Sequence, residues 1–137
     1  GIRGESVGRL QRDGELEVGG RRVTVDEMSE ARPGQVFAFV MDTRRCPAAV
    51  ELARDADLLV CESTYRTGEE DLAEAHGHLT AGQAAEIARE AGARRLVLAH
   101  FSHRHPDSAV FALDARPVFP AVVAADDLTW VAVPARR

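Results

Sequence analysis

Three apolar runs in this sequence end in groups capable of chemistry: VFAFVM leads into Asp42-Thr43, DLLVC into Glu62-Ser63-Thr64, and LVLA into His100-Phe101-Ser102. If these runs are neighbouring strands, their ends set a carboxylate, a second carboxylate and an imidazole along one sheet edge, where layered α/β proteins hold their ligands. Aspartate with histidine is a donor set suited to zinc or manganese. Taken singly, Asp42 suits a turn and His100 suits a hydrogen-bonded core position. Their convergence on one edge favours the metal. Glu62 is costly to bury alone and needs a partner. The segment HGHLT, with His76 and His78, holds the nearest candidate. A Glu62–His78 hydrogen bond would hold one imidazole tautomer and raise the basicity of the ring, as donation of a proton to a leaving group requires. His76 reads as an exposed loop residue. Neither Ser63 nor Ser102 sits in a GxSxG pattern, so a serine nucleophile is not indicated.

The elements that must position these groups alternate. The stretches ELEV and RRVTV flank Gly19-Gly20 as a hairpin, and Pro33-Gly34 breaks the chain before VFAFVM, whose continuous apolar run reads as a fully buried strand. A helix is expected over Pro47–Ala53, with proline allowed in its first turn. DLLVCEST follows as a strand. Ala84, Ala85, Ile87 and Ala88 mark a helix capped by Thr80 and stopped at Gly92. Leu96–Ala99 is a short buried strand, Asp107–Phe119 a further helix weakened by Pro117, and DLTWVAVP a closing strand. Strands alternating with helices predict a layered α/β domain.

The chain has 137 residues, 45% of them hydrophobic, enough for one globular domain with its own core. All 17 basic residues are arginine and the net charge is −5, so no broad nucleic-acid surface is evident from composition. The arginine pairs at 21/22, 44/45, 94/95 and 136/137 read as solvated surface, although each could still meet a phosphate. Cys46 and Cys61 form no CxxC pair and read as two buried thiols. No apolar run approaches the roughly 18 residues of a membrane span, and GIRGESVGRL lacks the apolar core of a signal peptide. A cytoplasmic location without membrane contact is the default expectation.

Taken together, MDT, CEST, HGHLTAGQAA and HFSHRH resemble, in order and spacing, the second half of the ribonuclease Z family, the tRNA 3′-processing endonucleases of the metallo-β-lactamase superfamily. Gly8-Arg9-Leu10 and Pro33-Gly34 resemble that family's approach to this half. The resemblance implies an αββα layered fold, of which residues 1–137 would form the C-terminal portion. The family's HxHxDH motif occurs nowhere in the sequence, nor does its further histidine ligand or its tRNA-gripping arm. By resemblance, Asp42 bridges two metal ions and His100 ligates one of them. Glu62 and His78 match the family's paired acid and histidine for proton transfer, and Arg104, Ser102 and Thr80 match positions that meet the substrate. Zinc, two ions per complete site, is the implied cofactor, with manganese as the other candidate. Precursor tRNA, cut after the discriminator nucleotide by metal-activated water, is the implied substrate, and a homodimer the implied assembly. Three positions depart from the family pattern: Met41 where glycine is commoner, Leu79 in place of serine, and His105 in place of tyrosine. With only part of the metal site, the isolated chain is expected to be inactive. Two other readings use the same residues: a hydrolase of the same superfamily acting on small phosphodiesters, and a non-catalytic module that pairs with other chains.

Overall fold

The computed structural model describes residues 2–136. The described residues pack as two compact units, divided between Pro33 and Gly34. The first unit opens with helix α1 (Glu5–Asp13), stopped by Gly14 in the left-handed conformation. Strands β1 (Glu15–Val18) and β2 (Arg21–Thr24) then pair antiparallel. Gly19 and Gly20 both take positive φ, 59° and 77°, as the tight turn between right-twisted strands demands. Thr24 and Glu27 form a reciprocal capping box at the start of the short helix α2 (Val25–Met28).

The second unit carries the parallel sheet. Its strands β3 (Phe37–Val40), β4 (Leu58–Glu62), β5 (Leu96–Ala99) and β6 (Val122–Ala124) lie side by side in chain order. Between them run α3 (Pro47–Leu52), α4 (Glu70–His76), α5 (Ala81–Glu90) and α6 (Ala109–Ala115). Ala38, Val40, Leu59, Cys61, Leu96 and Leu98 meet Ala84, Ala85, Ile87, Ala88 and Phe111 in one apolar core. Burial of these side chains is the main force holding α5 and α6 to the sheet. The fold is the layered α/β arrangement that the alternating pattern predicts.

Four expectations need correction. The run VFAFVM is not buried on both faces: Ala38 and Val40 point into the core, while Phe37 and Phe39 are 57% and 55% exposed. Side chains alternate along a strand, and the core helices cover only the face that carries Ala38 and Val40. DLTWVAVP forms no strand, and the fourth strand is Val122–Ala124 instead. The carbonyls of the terminal segment are taken by side chains: Gln35 donates to those of Val133 and Pro134, Arg95 to that of Ala132, and Arg94 to that of Ala135. The helix expected over Asp107–Phe119 is shorter, Ala109–Ala115: Arg116 still adopts helical angles and donates to the Ala112 carbonyl, but Pro117 has no N–H to continue the ladder. Finally, only Cys61 is fully buried, whereas Cys46 is half-exposed at the start of α3.

Candidate active site

Strand register brings the chemistry together. Val40 lies opposite Cys61, and Cys61 opposite Leu98, so Asp42 and His100 emerge at the same level on either side of the end of β4. Neighbouring strands are about 4.8 Å apart, so the two backbones alone would leave a gap of roughly two strand spacings. Both residues leave their strands with positive φ, 51° at Asp42 and 60° at His100. Aspartate and histidine tolerate this region better than most side chains, and such conformations concentrate at functional sites. The side chains converge, with His100 Nε2 standing 3.3 Å from Asp42 Oδ1.

His78 arrives by a separate route. Helix α4 ends at Gly77, whose φ of 76° lets the chain turn sharply, and the His78 N–H closes back on the Ala73 carbonyl at 2.8 Å. Bonds between the Tyr65 N–H and the Leu79 carbonyl, and between the Ala81 N–H and the Tyr65 carbonyl, then fasten this segment beside β4. One ligand atom from each of Asp42, His78 and His100 lies within 4.8 Å of the others. His76, expected in a loop, is instead the last residue of α4, and it stacks on Tyr65 at 6.1 Å.

Glu62 holds the arrangement from beneath. It is fully buried and accepts from the Thr43 N–H at 2.5 Å, the Leu79 N–H at 3.1 Å and the Thr64 hydroxyl at 2.8 Å. His78 Nδ1 lies 3.2 and 3.1 Å from its two oxygens. A carboxylate only accepts, so the ring proton of His78 sits at Nδ1 and the lone pair at Nε2. Glu62 therefore has no free edge for substrate; it orients His78 and fixes the loop that carries Asp42. The bond expected between Glu62 and His78 is present in this geometry.

His100 Nδ1 lies 2.9 Å from the Thr64 hydroxyl. A hydroxyl has one proton, and that of Thr64 is directed to Glu62. His100 Nδ1 must therefore donate, which turns the Nε2 lone pair toward the Asp42 carboxylate. Two acceptors facing each other at 3.3 Å attract only when a cation, either a second ring proton or a metal ion, lies between them. Two atoms bound tetrahedrally at about 2.0 to 2.1 Å stand about 3.3 Å apart. The donor set and its spacing thus fit a divalent metal.

The remaining expected residues fall differently. Arg104 is exposed, and among the described residues it forms no ion pair. Its N–H donates to the Ser102 hydroxyl at 3.3 Å, and the Ser102 N–H donates to the Thr64 carbonyl, so Ser102 shapes the turn that presents Arg104. Thr80 is a correction. Its side chain is fully buried and caps α5 by accepting from the Gln83 N–H, which leaves it no access to a substrate. His105, at a departure from the family pattern, bonds Glu69 at 3.0 Å and packs edge-on against Phe111. The Arg66 N–H, and after it His105, hold the Glu69 carboxyl below its usual range. Thr64 is a site residue that the motifs above do not single out. Its place two residues after Glu62, on the same side of the chain, was the available signal.

The family model described as a beta-lactamase superfamily domain matches residues 9–101. The chain belongs to the beta-lactamase superfamily. Among curated members, a Ribonuclease Z from Salinispora arenicola is 56% identical and one from Streptomyces coelicolor 57%, each over 100% of this chain and 45% of the relative. The chain thus spans a little under half the length of these superfamily relatives. Solved superfamily structures agree. The short form of human tRNase Z superposes with a TM-score of 0.59 at 31% identity, covering 74% of this chain and 34% of that one. A metallo-beta-lactamase fold protein from Bacillus subtilis, YhfI, also reaches 0.59, at 26% identity over 64% of this chain and 35% of its own.

Proposed function

We propose that this chain is the C-terminal half of a metal-dependent endoribonuclease that removes the 3′ trailer of precursor tRNA after the discriminator nucleotide. One observation carries the proposal: Asp42, His78 and His100 converge on one sheet edge in a chain whose relatives over its full length are named Ribonuclease Z. Asp42 and His100 hold the metal, with further ligands supplied by the portion of the relatives that this chain does not span. Zinc is the proposed ion, two per complete site, and manganese suits the same donors. When bound, such ions activate water and stabilise negative charge on the phosphate.

The chain's own residues do the rest. His78, its Nδ1 proton held by Glu62, takes up a second proton from solvent on its Nε2 lone pair and, as the imidazolium, gives it to the leaving oxygen. Arg104 forks onto a phosphate or a base edge of the RNA end, presented by the turn that Ser102 forms. Among the described residues no helix is long and apolar enough to cross a membrane. A cytoplasmic location and a homodimeric assembly belong to the same reading.

The test is cleavage by the full-length protein of a precursor tRNA beside a small phosphodiester, with the tRNA product ends mapped. Cleavage after the discriminator, abolished by Asp42→Ala, is the expected result. Hydrolysis of the small ester with the precursor left intact would overturn the tRNA reading and favour the small-substrate hydrolase.

A further inference from the structure

Glu62 touches His78 directly, but it reaches His100 only through one hydroxyl. The Thr64 side chain lies 2.8 Å from Glu62 Oε2 on one side and 2.9 Å from His100 Nδ1 on the other. We propose that Thr64 is a positioning residue that fixes the ring proton of His100 at Nδ1 and so aims the Nε2 lone pair at the metal position beside Asp42. The metal part of this inference rests on the proposed function; the tautomer part rests on the geometry alone.

The physical case is one of proton counting. The Thr64 side chain is largely buried, and the Glu62 carboxylate, which can only accept, claims its hydroxyl proton. What remains on the hydroxyl oxygen is acceptor capacity, which only an N–H can satisfy. A ring that placed its proton on Nε2 would set two lone pairs against each other at 2.9 Å and point an N–H at the cation site. Thr64 thus excludes the tautomer that cannot ligate. The segment is braced as well: the Ser102 N–H donates to the Thr64 carbonyl at 3.0 Å and the Ser63 N–H to the Ala99 carbonyl at 2.9 Å, tying the residues on either side of His100 to the end of β4. Glu62, through Thr64 and through His78, sets the proton positions on both imidazoles. Partners of this kind behind a metal-binding histidine are generally worth about tenfold to a hundredfold in metal affinity.

The test uses the full-length protein, stripped of metal by chelation and labelled with 15N in its histidines, as wild type, Thr64→Val and Thr64→Ser. On the basic side of the ring titrations, wild-type and Thr64→Ser protein should show a protonated Nδ1 and a pyridine-type Nε2 at His100. Thr64→Val should lose that single tautomer at His100 while His78, still held by Glu62, keeps its own, which also reports that the variant is folded. Zinc competition should show Thr64→Val weakened tenfold to a hundredfold and Thr64→Ser within a few-fold of wild type. A wild-type His100 protonated at Nε2, or a folded Thr64→Val with an unchanged His100 tautomer, would overturn the proposal. If the tautomers behave as expected but wild-type protein binds no zinc tightly, the metal reading fails and the positioning of His100 by Thr64 stands.

Discussion

Glu62→Gln removes one charge and almost no volume, so its effect measures how much the buried carboxylate holds in place. The amide oxygen settles where Oε2 was, since the Thr64 hydroxyl and the Leu79 N–H both converge there and His78 can still reach it at 3.1 Å. The amide nitrogen then faces the Thr43 N–H, donor against donor, where the carboxylate accepted at 2.5 Å. Orphaning one buried N–H costs about 1 to 3 kcal/mol, and reducing the remaining bonds from charge-assisted to neutral costs about 0.5 to 1 kcal/mol each. The expected destabilisation is about 3 to 5 kcal/mol, a large share of the roughly 5 to 15 kcal/mol that holds a typical domain. Urea unfolding followed by circular dichroism reads it as a lowered midpoint at constant m value. Glu74→Gln is the control. That carboxylate pairs with Arg44 at 3.3 Å, but both side chains are mostly exposed, so the change should stay within about 0.5 kcal/mol. If Glu62→Gln lies within about 1 kcal/mol of wild type, the carboxylate is not the hub described here.

The two thiols should separate sharply. Burial, and then the neighbouring Glu62, push the Cys61 thiol up to about 12, whereas the Ala49 N–H and the Thr43 hydroxyl hold Cys46 below its usual value. A disulfide exchange reagent at pH 8 should label Cys46 fast and Cys61 only on unfolding; equal rates would show that the β4 core opens. Acid should expose a second buried carboxylate at the opposite end of β4. The Val36 N–H, and after it Arg94 and Arg136, hold Asp57 below its usual pKa against the cost of burial. A folded pKa below the unfolded one means that the stabilisation is complete above about pH 4 and is lost as pH falls through the depressed folded value. Asp57→Asn should therefore flatten the stability profile below pH 4, and an unchanged acid limb would contradict that assignment. In the full-length protein, Arg104→Ala should slow precursor-tRNA cleavage by about tenfold to a hundredfold, the worth of a charged hydrogen bond of roughly 1.5 to 3 kcal/mol. A small phosphodiester should be spared, and equal losses on both substrates would place Arg104 at the reacting phosphate.

The parts of the fold that could be read in the sequence are those with local causes. The glycine pair at 19 and 20 forms its hairpin turn, Thr80 caps α5, and the apolar runs before Glu62 and His100 form neighbouring strands. Helix α4 escaped because EDLAEAH buries only Ala73 and so carries almost no apolar periodicity. Strand β6 escaped because its three residues follow Pro117 and Pro120, while the longer apolar stretch after Leu128 has its carbonyls occupied by arginine and glutamine side chains. At the site, strand-end positions suggested Asp42, Glu62 and His100, and the need for a buried partner suggested His78. The positive φ at Asp42 and His100, which lets their side chains meet across the end of β4, depends on tertiary packing that no local pattern encodes. Thr80 carries two expectations, the cap of α5 from its local pattern and a substrate contact by resemblance, and its burial fits the cap.

Anomalous diffraction at the zinc edge, from crystals of the full-length protein equilibrated with zinc, tests the central claim most directly. A metal peak in bonding contact with the Asp42 carboxylate and His100 Nε2, with the His78 ring alongside and its Nδ1 still bound to Glu62, is the predicted result. Zinc bound only to surface carboxylates, with Asp42 and His100 facing each other 3.3 Å apart and no metal between them, would contradict it.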